Sequence, residues 1–281
     1  MEILQLSDIH YGTDYKGKFN TKDQFNKVVE HAIKRTPSGY DMVIVSGDLV
    51  DVNPNITFKE QKEGMDIILK RACQLCKDGK HGVYVVPGNH DNREALTKSA
   101  TEILGWSNNP EFMDNGGFNE PGCFMQVVTP SKASHINIVL LDSGGVVPYK
   151  GIARLASKVM QRGSSWNDND TLLFTHTPFA TERLYHRFMK ENVMPTDVGE
   201  LLRPYIRHYF CGHYHHLAHV DCGSLEMHLC PGIQCQIDPY SKDCSPTAIP
   251  GYQVISLSSH ANGSVVVHPV IMDNYEKPSD E

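Results

Sequence analysis

The chain has 281 residues, 40% of them hydrophobic and 21% charged, with a formal net charge of -7. That is ample length for one large domain with a well-buried core, and ordinary composition for a folded soluble protein. No run of basic residues relieves the acidic balance, which excludes an extended nucleic-acid-binding face and leaves room only for a local cationic pocket.

The N-terminal MEILQLSDIH enters a strand-like pattern at once, with neither a basic n-region nor a long apolar stretch. It therefore reads as neither a signal peptide nor a membrane span, and a cytoplasmic location is expected. After it, DMVIVSG and GVYVVPG read as buried strands, each ended by small or turn residues. The helical patterns TKDQFNKVVEHAIKR, capped by Thr21, and FKEQKEGMDIILKRACQLCK lie between them. This alternation predicts parallel pairing in a sheet covered by helices. Cys73 and Cys76 sit three residues apart within the second helix, and no second C-x-x-C follows, so they read as idle thiols. Eight cysteines in so long a chain build no disulfide framework.

The second half is richer in strands: GCFMQVVT, HINIVLLDS, TLLFTH, HYFCGH, HLAHVD, SLEMHL, YQVISLS and SVVVHPV. A second sheet packed on the first is expected. No linker divides the chain, so residues 1–271 are read as one domain and the polar, acidic 272–281 as a flexible tail.

Chemistry collects where the strands end. The first ends in Asp8 and His10, the second in Asp48 after a glycine with Asp51 three residues on, and the third in Asn89, His90 and Asp91. A later strand ends in His176, and another runs into FCGHYHHLAH, which carries His213, His215, His216 and His219. Alternation places His213 and His215 on one side, but spacing alone does not say which of these four imidazoles bind anything. In an open sheet with helical crossovers the carboxyl ends of the strands share one edge, where ligands bind. Carboxylates, an amide and imidazoles suit a pair of divalent cations such as Mn, Fe or Zn, bridged most naturally by Asp48.

The order Asp8-x-His10, Gly47-Asp48, Gly88-Asn89-His90-Asp91, His176-Thr177-Pro178 and Gly212-His213-x-His215 resembles the calcineurin-like metallophosphoesterases over roughly residues 1–260. The resemblance implies a four-layer α/β/β/α sandwich of two mixed sheets. It implies one metal on Asp8, His10, Asp48 and His215, and another on Asp48, Asn89, His176 and His213, with Mn, Fe, Zn or Co acceptable. His213 and His215 are then the ligands of their segment; His219 is a bystander, and His216 at most lines the pocket. His90 would contact the phosphate or the leaving oxygen, oriented by Asp91, while a hydroxide bridging the metals attacks phosphorus in line.

GNHDNREAL, with Arg93 beside the site, together with LLDS at Leu140–Ser143 and the later HLCPGIQCQIDP, looks most like class III 3′,5′-cyclic-nucleotide phosphodiesterases. A cAMP-like diester is the expected small-molecule substrate, with Asn89, His90, Arg93 and His216 in contact with it. Thr177 and the segment GIARLASKVMQRG depart from that subfamily's pattern. The alternative is another phosphoester: a phosphoprotein, nucleotide, phospholipid or nucleic acid. A non-catalytic scaffold ranks last because every ligand is retained. Residues 108–122 are a candidate dimer interface or pocket rim.

Overall fold

The computed structural model describes residues 1–12, 20–51, 55–109, 112, 117–163, 166, 171–181, 193–237, 246–258 and 264–272. The expected tail, apart from Met272, lies outside the described residues.

Two mixed sheets carry the fold. The first has β1 (Glu2–Leu6), β2 (Met42–Ser46), β3 (Val83–Val86), β12 (Gly251–Leu257) and β13 (Val265–Ile271), in the order β13-β12-β1-β2-β3. Its centre is parallel, Leu4 facing Val43 and Val45 facing Val85 across the pairs, while β12 and β13 run antiparallel. The second holds β4 (Met125–Val128), β5 (Asn137–Leu141), β6 (Thr171–Phe174), β7 (His208–Cys211), β8 (Ala218–Asp221) and β9 (Glu226–Leu229), ordered β4-β5-β6-β7-β9-β8. Its β5, β6, β7 and β9 are parallel, with antiparallel strands at both edges. A short pair, β10 (Gln236–Ile237) and β11 (Pro246–Thr247), lies beside them.

The pleat assigns the faces. Ile138, Leu140, Leu172, Phe174 and Phe210 join the core shared with the first sheet, whereas the alternate residues Val139, Leu141, Leu173, Tyr209 and Cys211 face a second core. That second core is closed by α3 (Tyr149–Arg162) through Ile152 and Leu155, and by α4 (Thr196–Leu202) through Val198 and Leu202. On the far side of the first sheet, α1 (Thr21–Arg35) and α2 (Phe58–Leu75) bury Phe25, Val28, Val29 and Ala32, and Met65, Ile68, Leu69 and Ala72. Helices therefore cover both outer faces, giving the four-layer α/β/β/α sandwich.

Local chemistry accounts for the helix starts. Thr57 and Glu60 form a reciprocal capping box on α2, a device that contributes about 1 kcal/mol. α1 is capped by Asn20, whose side chain accepts from the amides of Lys22 and Asp23, and not by Thr21. The Thr21 hydroxyl donates to the His10 carbonyl instead, tying the helix to the loop after β1. Of the described residues between 108 and 122, Asn119, Glu120 and Pro121 are exposed. Phe112 and Phe118 are fully buried, packing with Trp106 and Phe124 at ring separations of 5.0–6.2 Å. Cys73 and Cys76 are free thiols. No described helix is long and apolar enough to cross a membrane.

Candidate metal centre

Five chain segments, each following a strand of the sandwich, meet at one edge of the two sheets. They deliver Asp8 and His10 after β1, Asp48 after β2, Asn89 and His90 after β3, His176 after β6, and His213 and His215 after β7. Backbone bonds hold the segments in register. Asp8 and His10 donate their amides to the carbonyls of Gly47 and Asp48 at 3.1 and 3.0 Å, and Gly212 donates to that of His176 at 2.9 Å. Ile233 N, donating to Ser7 O at 3.1 Å, carries the edge across the sandwich.

The backbone there is strained in a telling way. Asp8, His10, Asp48, His213 and His215 have φ of 53°, 47°, 54°, 73° and 49°, and they are the described non-glycine residues with positive φ. Such conformations cost on the order of 1–3 kcal/mol each and persist only where the surroundings impose them. Here every instance belongs to the residues expected to bind metal. Two glycines of the motifs have an equally local cause. A Cβ at Gly88 would collide with the Asp48 carboxylate, and one at Gly212 with the Ser7 hydroxyl and the Asp8 carboxylate.

The side chains fall into two groups, buried but for the half-buried His213: Asp8 with His10 and His215, and Asp48 with His176 and His213. Asp48 links them: its Oδ2 lies 3.6 Å from His10 Nε2 and 3.2 Å from His176 Nε2. His10 and His215 point their Nε2 atoms at each other, 3.2 Å apart, and His176 Nε2 lies 3.0 Å from Asn89 Oδ1. Neighbouring ligands on one ion, bonded at about 2.0–2.2 Å, stand roughly 3.0–3.5 Å apart, so the donor set has the spacing of coordination polyhedra. The rear nitrogens are anchored as ligand imidazoles require. His176 Nδ1 lies 2.8 Å from the Ser46 carbonyl, His10 Nδ1 is 2.5 Å from Asp51 Oδ1, and His215 Nδ1 is 3.3 Å from Cys235 Sγ. The residues therefore fit divalent cations.

The electrostatics agree. Burial pushes the Asp8 carboxyl up to about 6, with Asp48 adding to the rise. Burial would also hold His10 and His176 neutral, but Asp51 and Asp48 at His10, and Asp48 at His176, more than offset it and raise both to about 9. Raised this far, the two imidazoles offset part of the negative charge that Asp8, Asp48 and Asp51 gather at this edge. His213 is pushed down to about 3 by burial and by the His176 imidazole beside it, leaving its lone pair available.

Two expectations are corrected. Asp91 does not orient His90: its carboxylate accepts backbone amides from Leu49 and Val50 at 2.8 and 3.2 Å and from Gly88 at 2.8 Å, clamping the two loops together. The imidazole of His90 turns to Asp51, Nδ1 to Oδ1 at 3.0 Å. Arg93 is not free for a substrate. Its guanidinium grips Asp142 at 2.6 and 2.9 Å and donates to the carbonyls of Phe118 and Gly144, both at 3.0 Å. The fully buried Asp142 attracts it more strongly than a wet pocket does. His216 is half-buried on the turn that carries His215, and His219 is drawn away to the far end of β9. Sequence reasoning passed over Asp51 as a functional group. Its three-residue spacing from Asp48 was the available signal, since one turn of loop returns it beside the same edge.

Comparison with known proteins matches residues 1–217 to the family model described as calcineurin-like phosphoesterase. The chain belongs to that family, which makes it a phosphoric ester hydrolase of a metal-using class. It is 24% identical over 262 residues to a protein of Fibrobacter succinogenes named "Probable cyclic nucleotide phosphodiesterase", covering 91% of this chain and 89% of that one. It is 25% identical over 230 residues to the "Probable glycerophosphodiester phosphodiesterase GpdQ" of Arcobacter nitrofigilis, covering 78% and 73%. Among solved structures, Plasmodium GAP50, "the anchor in the inner membrane complex", superposes with a TM-score of 0.52 at 14% identity, covering 98% of this chain and 86% of that one. That likeness speaks to the fold alone.

Proposed function

We propose that this calcineurin-like phosphoesterase is a dimetal phosphodiesterase acting on 3′,5′-cyclic nucleotides. The observation that carries the reading is the convergence of Asp8, His10, Asp48, Asn89, His176, His213 and His215 in two groups joined by Asp48. One divalent cation would be held by Asp8, His10, Asp48 and His215, the other by Asp48, Asn89, His176 and His213. Two such cations supply Lewis acidity, drawing charge from the phosphoryl oxygens and lowering the pKa of water toward neutrality.

The chain's own groups do the rest. The Asn89 side chain stands where it can orient a phosphoryl oxygen. The Asp51 carboxylate holds His90 through Nδ1 and raises its pKa above the ordinary imidazole value, which favours the imidazolium. Its Nε2 proton is then available to the departing oxygen as the P–O bond breaks. His90 is exposed enough, at 48% of its side chain, to meet a substrate.

Two findings support a diester over a monoester. Arg93, the guanidinium that the sequence placed beside the site, is committed to Asp142. A dianionic monoester would gain more from a free arginine than a monoanionic diester does. The similarity to the Fibrobacter protein, spanning nearly the whole chain, favours the cyclic nucleotide. Similarity to the GpdQ protein supports a second reading, a glycerophosphodiester.

The deciding experiment reconstitutes the full chain with Mn²⁺ and compares cAMP, cGMP, a glycerophosphodiester, bis(p-nitrophenyl) phosphate and p-nitrophenyl phosphate. Metal-dependent turnover of a cyclic nucleotide is expected. Turnover of the aryl diester alone would keep the mechanism and discard the substrate, and turnover of the monoester alone would discard both.

A further inference from the structure

A second cluster of metal-ligating side chains lies at the opposite end of β7. There His208 opens β7, Glu226 and His228 lie on β9, and His219 lies on β8. Register explains the meeting: His208 pairs with Glu226, Phe210 with His228, and His219 with His228, so all of them project from one face of the second sheet. It is the face toward the first sheet, because Phe210 belongs to the shared core.

Ring stacking fixes the imidazoles. Phe174, Phe210, His228 and His219 form a continuous stack across β6, β7, β9 and β8, with neighbouring centroids 4.8, 4.8 and 4.7 Å apart and interplanar angles of 14°, 15° and 0°. The stack runs from the buried core out to the edge strand, where 58% of the His219 side chain is exposed. His228 is thus clamped between a phenyl ring and a second imidazole.

We propose that His208, Glu226 and His228 form a divalent transition-metal site of the zinc class, separate from the dimetal edge, with His219 able to supply a fourth ligand. The donor atoms are arranged for it. His208 Nδ1 is 3.4 Å from His228 Nε2, and the single oxygen Oε2 of Glu226 is 3.7 Å from the first and 3.9 Å from the second. His219 Nε2 stands 3.5 Å from that same oxygen. The edges of a tetrahedron with bonds of about 2.0–2.1 Å measure about 3.4 Å, so a contraction of a few tenths of an ångström closes the site. Arg207 holds the other carboxylate oxygen, Oε1, at 2.9 Å, an outer contact that fixes Oε2 toward the imidazoles. Burial and the adjacent imidazoles hold His228 down to about 3 and lower His208 as well, which keeps their lone pairs free for a metal. Three imidazoles and a carboxylate suit Zn²⁺, Co²⁺ or Ni²⁺ and offer little to Ca²⁺ or Mg²⁺. Bound there, the ion would pin the edge hairpin β8–β9 to β7.

The test uses the full chain, stripped by chelation and dialysed against Co²⁺, with bound metal counted and the visible absorption of low-coordinate cobalt recorded. Wild type, Glu226→Gln and His208→Asn are compared, with folding checked by circular dichroism. Each variant should bind one ion fewer than wild type, or bind that ion at least roughly tenfold more weakly. Hydrolysis of bis(p-nitrophenyl) phosphate should be unchanged. Should His208→Asn not fold, Glu226→Gln decides, because glutamine retains the Arg207 contact. Equal cobalt content and affinity in wild type and folded Glu226→Gln overturn the proposal. The comparison is one of metal counts, so absence of diesterase activity in every protein would count against the proposed function and not against this site.

Discussion

One carboxylate oxygen of Asp51 serves two imidazoles: it lies 3.0 Å from Nδ1 of the exposed His90 and 2.5 Å from Nδ1 of the buried His10. The acid that would meet the leaving group and the imidazole that would bind one of the cations are thereby oriented by a single atom. The two rings stand edge to face at 5.1 Å, an arrangement that the shared oxygen enforces.

Asp51→Asn should disturb both partners. Metal affinity is expected to fall about 10–100-fold, as for loss of other groups that orient a ligand imidazole. The fall in turnover should exceed that of the metal affinity once metal is saturating, because His90 loses its anionic partner too. Calorimetric metal titration alongside kcat at saturating Mn²⁺ separates the two effects.

His90→Ala should depend on the leaving group. An alkoxide needs a proton as the P–O bond breaks, whereas p-nitrophenolate leaves without one. The expected loss is about 100-fold or more on a cyclic nucleotide, and several-fold smaller on bis(p-nitrophenyl) phosphate. Equal losses on both substrates would remove the proton-donor role.

Arg93 tests structure against substrate contact. Arg93→Met leaves Asp142 buried without its cation, a change that costs about 3–5 kcal/mol. Thermal unfolding should therefore shift down strongly, while KM of the remaining folded protein stays near wild type. A large rise in KM with unchanged stability would restore the arginine to the substrate.

Asp48→Asn should abolish turnover and spare the fold. The residue sits past the end of β2 on a loop and not in the packed strands, so the melting temperature of the metal-free variant should stay within about 5 °C of wild type. Retention of most activity would refute its place between the two groups.

Asp41 links β1, β2 and two lysines far from this edge. Burial pushes its carboxyl up, but the Glu2 amide and the ammonium groups of Lys132 and Lys77 more than offset that and bring it to about 2, below the ordinary 3.8. A lowered carboxyl stabilises the fold above its unfolded value and ceases to do so as pH falls through its folded one. The contribution should therefore be complete above about pH 4 and vanish toward pH 2. Urea denaturation across that window should show a steeper loss in wild type than in Asp41→Asn.

Local patterns in the chain predict the strands of the sheet centres, the helices α1 and α2 between them and the residues that gather at the candidate metal edge. Apolar runs of β1, β2 and β3 ended by Ser-Asp, Gly-Asp and Gly-Asn-His are local patterns, and the parallel order forces their carboxyl ends to one side. The contacts between loops were set by packing. Asp51, not Asp91, holds His90, and Asp91 spends its oxygens on the amides of two loops. Arg93 reaches 49 residues along the chain to Asp142, and Cys235 comes to rest behind His215. The cluster of His208, Glu226 and His228 is equally invisible in one dimension, for it exists only through the register of two strands, β7 and β9. Periodicity and motif spacing are set by neighbours in the chain. A carboxylate's partner is set by which donors are buried beside it, and that is known only once the sheets have packed.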